Sequence, residues 1–156
     1  MASALPNISS LSLAASKSFE LSFPLPHAPQ TSTHLHLTNH RTSLLIFLTT
    51  SSADAAMTAA ALGSFVYAMP NCTSPSAAPL STPLYTHSST LDFATRLAKV
   101  LARRVGKPVY VGNSMSFANA GMGGTVEEEM EGFKRCVEVI IGALESGEKG
   151  EKGEKE

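Results

Sequence analysis

Hydrophobic and polar positions alternate in the first half of the chain and recur at helical spacing in the second. From Thr33 to Asn39 the alternation is plain, with Leu35 and Leu37 on one side and His34 and His36 on the other. Asn39-His40-Arg41-Thr42 reads as a tight polar turn. Leu44 to Leu48 is a continuous apolar run, as expected of a central strand covered on both faces. The two segments predict a hairpin. Upstream, Ser18 to Phe23 partly alternates and predicts an edge strand ended by Pro24, Pro26 and Pro29. Downstream, Ala55 to Tyr67 is ambiguous. Its alanines favour helix, while Gly63 and Phe65-Val66-Tyr67 favour strand, so the second half predicts a strand closing near Met69. Pro70 to Pro79 is a loop.

The stretch from Thr82 to Val111 predicts a short strand, a capped helix and a second strand. Ser89 is the expected N-cap, with Asp92 at capping-box spacing. Phe93, Ala94, Leu97, Ala98, Leu101 and Val105 form one apolar stripe. Gly106 and Pro108 stop the helix, and Val109-Tyr110-Val111 resumes as strand. Ser114 to Gly124 is a glycine-rich connection. Thr125 opens a last helix, with Glu128 completing a capping box. Val126, Met130, Phe133, Val137, Ile140, Ile141 and Leu144 are expected on its buried face, with Gly132 and Gly142 weakening it. Strands first and helices late predict an α+β fold, an antiparallel sheet or sandwich of about six strands flanked by two α-helices. Residues 1–17 are expected to be a disordered extension, 18–145 a single domain and 146–156 a solvated Gly/Glu/Lys tail.

Composition sharpens this picture at one place. Charged residues make up 16% of the 156-residue chain, against roughly a quarter in typical domains. Between Thr42 and Leu91 the only charge is Asp54. Either the core is deep and the loops rich in Ser and Thr, or a protein partner hides part of the sheet. A net charge of -1 suggests neither nucleic acid nor an anionic membrane as partner. No apolar run approaches the roughly 20 residues of a membrane span. Cys72 and Cys136 have no metal, redox or disulfide spacing and fit a reduced, intracellular compartment.

The candidate chemistry is thin. Gly121-Met122-Gly123-Gly124 before a helix could cradle a phosphate. Position 126 is Val rather than the third glycine of a dinucleotide fingerprint, and Glu127, Glu128 and Glu129 already occupy the positive end of the helix dipole. Gly112-Asn113-Ser114-Met115-Ser116 imitates a nucleophile elbow without its last glycine, and no histidine follows it. His34 and His36 share one side of a strand, but no Cys or carboxylate has ligand spacing beside them. No catalytic, cofactor or metal site is therefore expected. Arg96, Lys99 and Arg103 form a basic stripe on the central helix. It is either a solvated face or a contact with an acidic partner surface.

Several of these segments together resemble one family. Thr95-Arg-Leu-Ala98, Lys107 and Val109-Tyr-Val111 resemble the helix-to-strand passage of proteasome assembly chaperone 4. His34 to Phe47 resembles that family's His-rich strand, short turn and apolar strand. Leu62 to Met69 resembles its next strand, Ser81 to Thr86 the short strand before its helix, and Glu127 to Phe133 the acidic start of its last helix. The resemblance covers about Ser18 to Val139 in order. It implies a small sheet with two helices and a heterodimer with proteasome assembly chaperone 3. It also implies work on the α-ring of the 20S proteasome and its α subunits, with neither cofactor nor catalysis. The family often has an extended segment before the last helix, where this chain has small residues from Ala118 to Gly124. Two other readings stand beside this one: a small nucleotide- or ligand-binding α+β enzyme using the Gly121–Thr125 loop, and an unrelated homodimeric adaptor.

Overall fold

Six strands and two helices make up the computed structural model, which describes residues 16–52, 60–74, 76–118, 121 and 123–152, the side chains of 150–152 excepted. In chain order these are β1 (Lys17–Leu25), β2 (Ala28–Asn39), β3 (Leu44–Ser52), β4 (Ser64–Met69), β5 (Leu80–Tyr85), α1 (Leu91–Val105), β6 (Val109–Asn113) and α2 (Val126–Lys152). The strands form one sheet in the order β1-β2-β3-β6-β4-β5, not a sandwich. The expected hairpin is β2–β3, with Leu37 opposite Ile46 and His36 opposite Phe47. All neighbouring pairs are antiparallel except β3 and β6. The parallel pair arises because α1 carries the chain back across the sheet and delivers β6 between β3 and β4, the kind of crossover a parallel neighbour requires.

The central strands β2, β3, β6 and β4 share one parity. Leu35, Leu37, Ile46, Val66, Ala68 and Val111 are buried and point to one face. There α1 packs on β4, β5 and β6, and α2 packs on α1 and β1. The stripe expected on α1 is the one buried: Phe93, Ala94, Leu97, Ala98 and Leu101, with Ala102 in addition. Gly106 closes the helix at φ 70°, its N–H donating to Ala102 O. Lys107 then reaches across to the β2–β3 turn, donating to Asn39 Oδ1 and to His40 O at 2.9 Å. Partial burial lowers its pKa, and Glu148 works in the opposite sense.

Several local expectations change. The N-cap of α1 is Thr90, not Ser89, and no side chain caps the helix. Ser89 Oγ instead meets His87 Nδ1 at 3.0 Å, and Asp92 pairs with Arg96 along the helix. Thr90 is drawn in because its hydroxyl lies 2.9 Å from Ser64 Oγ, which also accepts from the His87 N–H. That knot fixes the approach to α1. It requires glycine at 63, where φ is +67° and a Cβ would stand 2.0 Å from Asn113 O.

On α2, Val126 and Met130 are exposed, against expectation. The buried line runs through Gly132, Cys136, Val137, Ile140 and Leu144, with Phe133 beside it. Phe117 from the β6–α2 connection packs against this line, its ring sitting where a side chain at Gly132 would go. Gly132 is thus a contact position as well as a weakness. The stretch from Ser146, expected as a tail, continues α2 through Lys152. Lys17 Nζ donates to Gly147 O, Phe19 packs close to Gly147, and Glu145 and Lys149 stand at favourable i,i+4 spacing. Residues 1–15 and 153–156, and with them most of the two expected extensions, lie outside the described residues. So do residues 53–59, including Asp54. The described part of the β6–α2 connection contains no strand. No helix among the described residues is long and apolar enough to cross a membrane.

Two predictions follow from this packing. Leu97→Asp would place a charge at a fully buried position and should cost more than about 3 kcal/mol, abolishing cooperative unfolding, whereas Lys99→Asp on the outer side of α1 should melt within a few degrees of the parent. Thermal melts by circular dichroism would check both. Burial pushes the Cys136 thiol up to about 12, while Cys72 is exposed. An aromatic disulfide reagent at pH 8 should therefore label one thiol in the native protein, at Cys72, and both after denaturation.

Candidate partner-binding face

The same parity that buries one face leaves the other, among the described residues, without a helix. Its residues form rows across the sheet. One row reads Glu20, His36, Phe47, Gly112, Phe65 and Tyr85, each paired with the next. The row beside it reads Ser18, Thr38, Leu45, Tyr110, Tyr67 and Thr82. Polar groups gather on β1 and β2, and aromatic rings gather on β3, β6, β4 and β5.

The rings touch. Phe47 stacks on Phe65 with centroids 6.0 Å apart and planes 10° apart, Phe65 stacks on Tyr110 at 6.1 Å, and Tyr110 meets Tyr67 at 4.9 Å with the planes tilted by 50°. Gly112 makes this possible: a Cβ there would lie 2.5 Å from the Phe47 ring, which occupies the space over β6. Phe47 is 37% exposed, and Met69, Leu80 and Tyr85 extend the apolar surface to the β5 edge at 38%, 59% and 57%. Such a ladder gains from mutual stacking yet leaves ring faces in water, the composition of a protein-binding surface rather than of a solvated sheet. At the polar end a hollow of about 610 Å³ opens between His34, His36, Phe47 and Leu62. His34 Nε2 lies 2.7 Å from Ser51 Oγ, and His36 Nδ1 lies 3.4 Å from Glu20 Oε1.

The basic stripe lies on α1, on the other side of the molecule. Its three members are not equivalent. Arg96 is engaged within the fold, 2.9 Å from Asp92 and 2.6 Å from Glu129, with its guanidinium 5.6 Å over the Phe133 ring. It ties α1 to α2. Arg103 donates to Ser76 O at 3.0 Å and holds the β4–β5 loop. Lys99 has no hydrogen bond or ion pair among the described residues. The aromatic ladder went unlisted among sequence candidates because each ring also reads as an ordinary strand residue. The signal that could have found it was the parity of Phe47, Phe65, Tyr67 and Tyr110 relative to the buried positions.

The phosphate-like loop is filled by the chain itself. Glu128 is buried, and its Oε2 accepts from the N–H groups of Gly124 and Thr125, each at 3.0 Å. The Glu128 N–H donates back to Thr125 Oγ1 at 3.3 Å, closing the expected capping box. A phosphate would have to displace a carboxylate from those donors. His34 and His36 do share the open face, but no group of three or more metal-ligating side chains gathers among the described residues. Asn113, in the elbow-like stretch, is buried and spends its amide on Thr90 O and the Met115 N–H.

One buried face and one aromatic face define an α+β domain of a single mixed sheet and two helices. Residues 32–115 match the proteasome assembly chaperone 4 family, and the chain belongs to that family. No curated protein matches it. Among solved structures, it is similar in fold to a chain of the crystal structure of a novel chaperone complex for yeast 20S proteasome assembly. The TM-score is 0.60 at 17% identity, over 83% of this chain and 98% of that one.

Glu128→Ala should remove the cap and destabilise the fold by about 1 kcal/mol. The parent protein should show no melting shift with millimolar ATP or GTP and magnesium. Differential scanning fluorimetry reads both outcomes.

Proposed function

We propose that this chain is a non-catalytic chaperone of 20S proteasome assembly. In this reading it pairs through its open sheet face with a proteasome assembly chaperone 3-like subunit, and the pair assists formation of the α-ring by binding proteasome α subunits. Family membership over residues 32–115 supports the chaperone role. The observation that carries the pairing is the aromatic ladder of Phe47, Phe65, Tyr110 and Tyr67 on a face whose only carboxylate among the described residues is Glu20. A stable interface covers about 1,600 Å² in total, with most of the affinity in a few central aromatic residues. This face offers such a centre. The work belongs in the cytoplasm, the nucleus or both. On the opposite side, Lys99 on α1, which has no hydrogen bond or ion pair among the described residues, is available to steer an acidic surface of the assembling ring.

The test is size-exclusion chromatography with light scattering. Alone, the protein should self-associate or be poorly soluble. Co-expressed with a proteasome assembly chaperone 3, it should run as a one-to-one heterodimer. Phe47→Arg should keep the fold and weaken the pairing about a hundredfold or more. A well-behaved monomer indifferent to that partner would overturn the reading. A tight homodimer that excludes the partner would favour the adaptor reading instead.

A further inference from the structure

We propose that Ser74, in the β4–β5 loop, is a phosphorylation site for a proline-directed protein kinase, and that Arg103 of α1 seats the phosphate. Acceptor and seat stand independently of the partner reading above.

Ser74 is followed in sequence by Pro75, and a Ser/Thr-Pro pair occurs at one other place in the chain, Thr82-Pro83. The two hydroxyl residues stand in different settings. Thr82 belongs to β5 and pairs with Tyr67 of β4, so its segment is engaged in the sheet. Ser74 lies outside helix and strand, half-buried, in a loop shaped by local turns. Asn71 Oδ1 accepts from the Thr73 N–H at 3.0 Å and from Thr73 Oγ1 at 2.7 Å, and the Ala77 N–H donates to Ser74 O at 3.0 Å. Ser74 Oγ lies 3.0 Å from Ser76 Oγ. A kinase cleft takes its acceptor as an extended segment, and a surface loop yields to that at less cost than a paired strand.

Beside this loop stands a cation with no anion. Arg103 Nη2 donates to Ser76 O at 3.0 Å and to Ala77 O at 3.5 Å, and Arg103 forms no ion pair among the described residues. Lys99, one turn earlier on the same helix, has none either. Residues 70–79 contain no Asp or Glu. A guanidinium that spends its donors on two neutral carbonyls gains by exchanging them for phosphate oxygens, to which it donates as a charge-assisted pair. In the transfer, Ser74 Oγ attacks the γ-phosphorus of a magnesium-bound nucleoside triphosphate. The new O–P bond forms as the bond to the bridging oxygen breaks, the diphosphate leaves, and the hydroxyl proton passes to the kinase's base. The product carries about two negative charges at neutral pH, enough to balance Arg103 and Lys99. In the reading that this side of α1 steers an acidic ring surface, phosphorylation switches that attraction off; this consequence alone rests on that reading.

The experiment incubates the full chain with a recombinant mitogen-activated protein kinase, ATP and magnesium, and maps the modified residues by mass spectrometry. The parent should be phosphorylated at Ser74, and Ser74→Ala should stay unmodified. The phosphoprotein is then titrated by phosphorus NMR. A seated guanidinium favours the doubly charged phosphate, so the midpoint in the native parent should fall below the ordinary value of about 6. It should return to about 6 in Arg103→Gln and in urea. No incorporation, incorporation at Thr82 instead, or label that persists in Ser74→Ala overturns the site. A native midpoint equal to that in urea, or a lowered midpoint that Arg103→Gln leaves unchanged, overturns the seat. No partner protein takes part, so failure here is distinct from failure of the pairing, which chromatography reads separately.

Discussion

The placement of β6 between β3 and β4 is the constraint on which the rest of the structure depends. Val111 faces Ile46 on one side and Val66 on the other, and all three are buried, with α1 packed on β6 and β4. Tyr110 must then point outward, into the stack with Phe65 and Tyr67. A slip of one residue would send Tyr110 into the core and Val111 to the surface, because side chains alternate with period two. The sealed face and the aromatic face are therefore one specification. Gly63 adds a second lock, since the close approach of its backbone to Asn113 O holds the start of β4 against the end of β6. Ser64 joins that point to Thr90 at the foot of α1.

Sequence patterning reached the core because burial leaves a strong periodic signal. Leu97 and Leu101 on α1, Leu35 and Leu37 on β2, and the Thr125–Glu128 capping box are all where residue spacing puts them. It failed where a non-local contact decided the outcome. Ser89 is as good a cap as Thr90 by composition, and the choice fell to Ser64, distant in sequence. Val126 and Met130 continue the helical stripe of α2, yet both are exposed, and the buried line starts instead at Glu128 and Gly132, where Phe117 packs from outside the helix. The extended pairing of β6 with β3 was likewise invisible, since nothing in a run such as Val109-Tyr-Val111 states whether its neighbours run with it or against it. The candidate face was half legible. The charge-poor stretch from Thr42 to Leu91 pointed to a hidden surface, and its strands β3, β4 and β5 do carry most of the exposed rings. The basic stripe was legible as a stripe, but spacing along one helix says nothing of Glu129 and Ser76, which come from elsewhere to engage Arg96 and Arg103.

The two edges of the sheet are guarded unequally, and that difference bears on how the chain lives with so much apolar surface. β1 carries Lys17, Glu20 and Pro24, the charges and proline that ordinarily discourage edge pairing. β5 reads Leu-Ser-Thr-Pro-Leu-Tyr, uncharged, with Leu80, Leu84 and Tyr85 exposed and only Pro83 as a guard. The weakly guarded edge adjoins the aromatic half of the open face, so a cover that seats on Phe65 and Tyr67 also approaches β5. Selection against aggregation would normally place a lysine or glutamate on such a surface, at little cost to folding. Its absence makes sense if the surface is occupied for most of the protein's working life. Phe47 lies over Gly112, where a side chain would collide with its ring, so a β-branched residue that would suit a central strand is excluded there. In the proposed reading, folding of this chain and recognition of a partner draw on the same residues, and the free state is the one the sequence does least to protect.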